Sequence, residues 1–170
     1  REQATNFSNM SGSVGNSKLY GVNGTISKDG GITAKGKYSV SLRDIPSFLS
    51  VGDLQFTDGT TDGSLEVSGK EGAGYRVSGA GKLKEADVRW KKASVSASGS
   101  YRFVDDEIIF EPLIISKGNT NITIKGKWKK RSLGLLIKGS LDTEHLMPFI
   151  KIPFDTSGLM GLDMDLRLDD

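Results

Sequence analysis

The chain has 170 residues, and its 23 basic side chains against 21 acidic ones leave a net charge of +2. This balance gives no reason to expect a nucleic-acid partner, because such binding depends on a strongly basic surface. The absence of cysteine excludes disulfides, thiolate nucleophiles and cysteine-ligated zinc.

Alternation of apolar and polar residues runs through most of the chain and predicts β-strands, because successive side chains of a strand point to opposite faces. The strands are predicted, in chain order, at residues 18–28, 31–43, 64–70, 74–84, 93–104, 107–116, 120–130, 132–141 and 161–168. Turn residues between them, including those at 58–59 and 62–63, predict short connections and an antiparallel meander. The segment 107–116 is apolar on both sides and contains Pro112, which predicts a strand covered on both faces or a bulged edge.

Two segments break the alternation, and both predict short helices that cover an end of the sheet. Residues 44–50 and 143–150 each begin near a helix-capping residue, Asp44 in the first and Asp142 or Thr143 in the second. Each follows a strand and precedes a new one, which makes a loose internal repeat of strand, helix and strand. The predicted fold is therefore all-β: one domain over 1–170, a long curved antiparallel sheet, either a groove or a folded-over sandwich, with one or two short capping helices.

Glycine occupies the centre of six predicted strands, on the apolar side of the alternation. The chain holds 22 glycines, and glycine in a strand marks a bend or a close approach to the backbone. Six in the same phase predict an apolar face with a furrow that acyl chains could occupy. The predicted lining consists of Ile32, Ala34, Gly36, Tyr38, Val40, Tyr75, Val77, Gly79, Val95, Ala97, Gly99, Tyr101, Phe103, Ile122, Ile124, Gly126, Trp128, Leu135, Ile137 and Gly139.

The recurring strands of apolar, polar, glycine, polar and apolar residues resemble the AsmA-like superfamily of bacterial envelope proteins, of the TamB and YhdP type. The segments 7–14, 19–24 and 32–37 are similar to the repeat of that family both in the order of their residues and in their period. The resemblance implies a periplasmic β-groove in a Gram-negative bacterium, tethered to the inner membrane by a helix outside this sequence. It further implies movement of phospholipid between the inner and outer membranes or support of outer-membrane assembly, with acyl chains and envelope assembly proteins as partners.

Residues suited to catalysis are few, and we expect neither an enzyme nor a cofactor or metal. His145 is the only histidine, and no serine has a credible histidine and aspartate partner set. Asp58 and Asp62 lack the spacing of a calcium loop. The basic runs at 82–92 and 125–131 are interpreted as solvated strand faces, with attraction to anionic headgroups as the alternative.

No stretch of about 18 apolar residues occurs, so no membrane-spanning helix is predicted. The first residues resemble neither an initiator nor a signal peptide, and we interpret the chain as a piece of a longer protein.

Two other functions use the same alternation. One is a structural or interaction module that binds a protein partner through an exposed edge at 107–116. The other is a piece of an outer-membrane barrel, which predicts aromatic residues at both strand ends, whereas the aromatic residues here lie in mid-strand.

Overall fold

The protein is described by a computed structural model that covers residues 4–47, 54–90, 93–130, 132–145 and 158–168. Within these residues the chain forms ten strands and two short 3₁₀ helices. The strands are β1 (Thr5–Val14), β2 (Ser17–Ile26), β3 (Gly31–Ser41), β4 (Leu54–Lys70), β5 (Gly74–Trp90), β6 (Ala93–Val104), β7 (Glu107–Lys117), β8 (Thr120–Lys129), β9 (Ser132–Asp142) and β10 (Leu159–Leu168). The predicted all-β class is confirmed.

The ten strands form one sheet in chain order, β1 to β10, and every neighbouring pair is antiparallel. Short turns join most of the pairs, as the glycine and aspartate signals predicted. In the described part of the chain, β1 and β10 each pair with a single neighbour, so the sheet is open. Of the two predicted forms, the described residues give an open sheet and do not fold over into a sandwich.

Strand β4 is longer than predicted and includes two places that were expected to be turns. Asp58, Gly59, Asp62 and Gly63 all lie within Leu54–Lys70. The register between β4 and β5 shifts on both sides of Asp58, which marks bulges. The turn prediction at 58–59 and 62–63 is therefore wrong. At 58–59 a bulge uses Asp and Gly without ending the strand, and at 62–63 Asp62 and Gly63 pair in regular register with Lys82 and Gly81.

Strand β7 lies in the interior of the sheet, hydrogen-bonded to β6 on one side and to β8 on the other. The prediction of an exposed edge at 107–116 is therefore wrong. Pro112 does not interrupt the ladder, because it sits where the register shifts against both neighbours, between Phe110 and Leu113 on the β8 side. A proline is tolerated at such a bulge because no ladder donor is needed there.

The first predicted helix is a 3₁₀ helix at Leu42–Ser47, and the second is a 3₁₀ helix at Thr143–His145. The remaining parts of the predicted helices, 48–50 and 146–150, lie outside the described residues. Asp142 caps the second helix as predicted, since its Oδ1 accepts the Glu144 N–H at 3.1 Å. Asp44 does not cap the first; its Oδ2 accepts the Asn16 N–H at 2.8 Å and the Ser17 hydroxyl at 2.7 Å.

The internal repeat includes a shared hydrogen bond in the hairpin that precedes each 3₁₀ helix. The buried Ser17, which begins β2, accepts the Ser41 N–H at the end of β3, with 3.1 Å from nitrogen to Oγ. The buried Thr120, which begins β8, accepts the Asp142 N–H at the end of β9 at 2.9 Å to Oγ1. Both hydroxyls follow a Gly-Asn pair in the preceding turn. The two halves of the sheet thus share a hairpin anchored by one hydroxyl.

Candidate binding surface

All twenty residues of the predicted lining share one face of the sheet. Residues paired directly across antiparallel strands lie on the same face, so the register can be followed from strand to strand. Ile32 pairs with Gly69, and Gly69 with Tyr75. On the same face, Gly79 of β5 pairs with Phe103 of β6. Further pairs carry this face from β6 through β7 and β8 to β9. We call this surface the apolar face and its opposite the polar face.

The apolar face is wider than the sequence indicated, because β4, β7 and β10 contribute to it as well. The additional residues include Ile108, Phe110, Leu113 and Ile115 on β7, and Met160, Leu162, Met164, Leu166 and Leu168 on β10. Strand β4 adds Leu65 and Val67, which pair with Gly36 and Ala34. Those of β7 were missed because the bulge at Pro112 shifts its period, and a period-two pattern does not survive an inserted residue. Those of β10 were missed although its alternation was recognised.

Exposure divides the predicted lining into three groups. Gly36, Tyr38 and Ala97 are buried. Tyr75, Val77, Trp128 and Gly139 are exposed, and the other thirteen residues are half-buried. No side chain in the described part of the chain combines large volume with an exposed fraction below 2%. The apolar face is therefore only partly covered.

Aromatic rings from neighbouring strands fill the space above several glycines of the apolar face. A Cβ atom at Gly81 would overlap the Tyr38 hydroxyl and the end of the Tyr101 ring, and one at Gly63 would overlap Tyr38. Phe103 lies over Gly79 in the same way. The rings fit because glycine has no side chain, so the space above the backbone is free for them. Side chains of the protein itself therefore occupy this part of the predicted furrow.

Two other glycines are required by the conformation of the backbone. Gly126 and Gly139 have φ angles of 141° and 149°, which L side chains rarely adopt. A Cβ atom at either position would also overlap a carbonyl oxygen of the facing strand, that of Gly134 or Asn121. These glycines bring neighbouring backbones close together and leave no open space.

Three hydroxyl groups meet on the apolar face above Gly63 and Gly81. The Tyr38 and Tyr101 hydroxyl oxygens are 2.9 Å apart, and the Thr61 Oγ1 lies 2.6 Å from that of Tyr101. Tyr38 and Thr61 are buried. Burial, together with the hydrogen bond to Tyr101, raises the pKa of Tyr38 above its ordinary range. The cluster joins strands β3, β4 and β6 through side chains that satisfy one another.

The first 3₁₀ helix covers one end of the apolar face. Leu42 has 2% of its surface exposed and packs with Ala86 and Ala97, which are 0% and 6% exposed. Partly buried Ile45, Phe56, Leu83, Val88, Leu113 and Ile115 surround them. Arg43 fastens this helix to β4, since its guanidinium donates to the Thr57 carbonyl at 2.8 Å and pairs with Asp58 at 3.0 Å. We call this region the covered end.

The far side of the apolar face has no comparable cover among the described residues. Trp128 on β8 and Met160, Met164, Leu166 and Leu168 on β10 are all exposed. We call the apolar face of β8, β9 and β10 the open strip. The accessible surface of the whole chain, 11647 Å², exceeds the roughly 8100 Å² expected of a compact monomer of 18.3 kDa.

The polar face carries ion pairs between neighbouring strands. Lys35 pairs with Glu66 at 3.2 Å, Lys84 with Asp62 at 2.8 Å and Lys138 with Asp163 at 3.2 Å. Four shallow depressions also open on the polar face; one, for example, is lined by Lys35, Ser64 and Glu66. These four depressions are open to solvent and are not enclosed cavities.

Groups suited to metal binding or membrane crossing are not found in the described residues. No cluster of three or more His, Asp or Glu side chains occurs there. No helix among them is both long enough and apolar enough to span a bilayer. His145 ends the second 3₁₀ helix.

Comparison with known proteins adds no relative. Neither a family model, nor a curated protein, nor a solved structure matches this chain.

Proposed function

We propose that this chain is a non-catalytic, lipid-binding segment of a bacterial envelope protein of the AsmA-like type. In this role it would hold phospholipid acyl chains while they move between the inner and outer membranes, or support outer-membrane assembly. The proposed setting is the periplasm of a Gram-negative bacterium, with a tether to the inner membrane outside this sequence. The setting is supported by the resemblance of the glycine-centred strands alone.

One observation carries the binding proposal: an apolar face continues from β3 to β10, yet only one end of it is covered in the described residues. Exposed apolar patches of more than a few hundred Å² mark surfaces that bind proteins, lipids or other apolar ligands. Each buried methylene contributes about 0.8 kcal/mol, so contact with ten carbons gains up to roughly 8 kcal/mol before ordering costs. Retention of an acyl chain therefore requires no polar recognition site.

The geometry favours the open strip, and not the space above the glycines, as the site where an acyl chain binds. Rings of Tyr38, Tyr101 and Phe103 already occupy the space above the glycines of β4 and β5. The Leu42 cluster closes the end next to them. Met164 and Leu166, in contrast, leave apolar side chains exposed on the strip. An acyl chain lying there would contact β8, β9 and β10.

The proposal is tested by extracting lipid from the purified chain and identifying it by mass spectrometry. We expect phospholipid from the unmodified chain and a severalfold lower yield from Met164→Lys, because the new ammonium group would lie on the apolar face. Gly161→Lys is the matched control. It adds the same charge to the polar face of the same strand, at a position where a Cβ atom has open space, and should retain lipid.

Protein that is free of lipid, or equal yields from Met164→Lys and the unmodified chain, would overturn the proposal. Either result would mean that the open strip does not hold acyl chains.

A further inference from the structure

The polar face of β8 carries a row of three lysines in a part of the sheet where cross-strand ion pairs are missing. Elsewhere on this face a lysine of one strand meets an acidic residue of the next, as Lys35 meets Glu66. Lys125 and Lys127 are exposed, and neither forms an ion pair with a described residue. Lys129 ends the row. The centre of β8 therefore carries positive charge that its surroundings leave unneutralised.

Acidic side chains on the neighbouring strands are engaged elsewhere. Glu107 of β7 lies opposite Lys129, at the end of the row. Glu111, also on β7, forms an ion pair with an arginine of β6. On β10, Asp163 and Asp165 have cationic partners as well. The two central lysines of β8 are thus the cations without a counter-charge in this part of the described sheet.

Aliphatic side chains lie directly opposite these two lysines. On the polar face, Ile109 of β7 is opposite Lys127, and Leu136 of β9 is opposite Lys125. Leu136 is 48% exposed, and Ile114, further along β7, is 37% exposed. These isoleucines are the reason that the segment 107–116 is apolar on both sides. We call the five residues the basic patch.

We propose that the basic patch docks on the surface of an anionic phospholipid bilayer. The lysine ammonium groups would lie among the lipid phosphates, and Ile114 and Leu136 would contact the boundary between headgroups and acyl chains. Each lysine near an anionic membrane surface strengthens the attraction about fivefold. This inference goes beyond the proposed function and does not rest on it, because the acyl chain considered above would lie on the opposite face of the sheet.

The composition of the patch favours a bilayer over a nucleic acid. Proteins that bind single-stranded nucleic acids stack the bases on aromatic side chains. The aromatic residues of β6, β7 and β8 all lie on the apolar face; they are Tyr101, Phe103, Phe110 and Trp128. Exposed aliphatic side chains beside lysines, in contrast, match the mixed character of a membrane interface.

The test is co-sedimentation of the chain with two kinds of vesicle. One is pure phosphatidylcholine, and the other contains an equal amount of phosphatidylglycerol with the same acyl chains. We expect binding to the anionic vesicles to be at least about tenfold tighter. Raising sodium chloride from about 0.1 to about 1 M should abolish this preference, because the Debye length falls from about 10 to about 3 Å.

Variants separate the charge of the patch from its aliphatic contact. Lys125→Gln with Lys127→Gln should lose the preference for anionic vesicles. The matched control, Lys37→Gln with Lys82→Gln, removes two other polar-face lysines that form no ion pair with a described residue, and should keep most of it. Leu136→Asn should weaken binding severalfold at unchanged charge. Circular dichroism verifies that each variant is folded.

Equal binding to both vesicles would overturn the proposal, because contact through the open strip does not distinguish the two headgroups. No binding to either would also overturn it, and so would equal losses in the two double variants. Full binding by Leu136→Asn would show that the patch does not contact a bilayer. None of these results alters the amount of lipid extracted from the purified chain, so the proposed function is judged separately.

Discussion

The covered end and the open strip are built from the same alternation, yet they differ sharply in burial. At the covered end, Leu42 is 2% exposed and packs with Ala86 and Ala97. On the open strip, Leu168 is 62% exposed and Trp128 is 48% exposed. Period-two patterning decides which face of a strand is apolar, but it does not decide what lies on that face. Cover comes from other parts of the chain, here a 3₁₀ helix and rings that lie across glycines.

The largest expected effect lies at the covered end. Leu42→Ala should lower the free energy of unfolding by about 2–5 kcal/mol, since it empties the space between the 3₁₀ helix and the sheet. The matched control, Leu168→Ala on the open strip, should change it by less than about 0.5 kcal/mol. Urea titration followed by circular dichroism measures both. Equal losses in the two variants would mean that the two regions do not differ in packing.

A smaller loss is expected where aromatic rings lie over glycine. Gly81→Ala should lower the free energy of unfolding by about 1–3 kcal/mol, because the added methyl group displaces the Tyr38 and Tyr101 rings. Gly134→Ala is the control: a Cβ atom there meets nothing within 4 Å. It should be neutral or slightly stabilising, since alanine restricts the unfolded chain. A stable Gly81→Ala protein would show that the rings have room to move aside.

The phase of the apolar face could be predicted from the sequence, and its cover could not. Alternation placed residues as distant as Ile32 and Ile137 on one face, because the period of a strand is a local property. The pairing of Tyr38 with Tyr101 spans 63 positions and depends on the register of three strand pairs. Pro112 indicated an edge, but it occupies a bulge inside the sheet. Bulges insert residues that a local pattern does not register.

The smallest expected effect tests the hydroxyl cluster that borders the covered end. Tyr38→Phe should lower the free energy of unfolding at pH 7 by about 0.5–1.5 kcal/mol, since one buried hydrogen bond is lost. The pKa of Tyr38 is raised in the folded state, so the folded protein holds this proton more tightly than the unfolded chain. The resulting stability is complete below about pH 10 and falls as the pH rises towards the folded pKa.

Denaturant titrations between pH 8 and pH 11 measure this difference directly. The unmodified chain should lose more stability above about pH 10 than Tyr38→Phe does, because the variant lacks that phenol. Tyr75→Phe serves as the control, since Tyr75 is exposed on the same face, and its profile should follow that of the unmodified chain. If all three profiles coincide, the cluster does not hold its protons more tightly in the folded state.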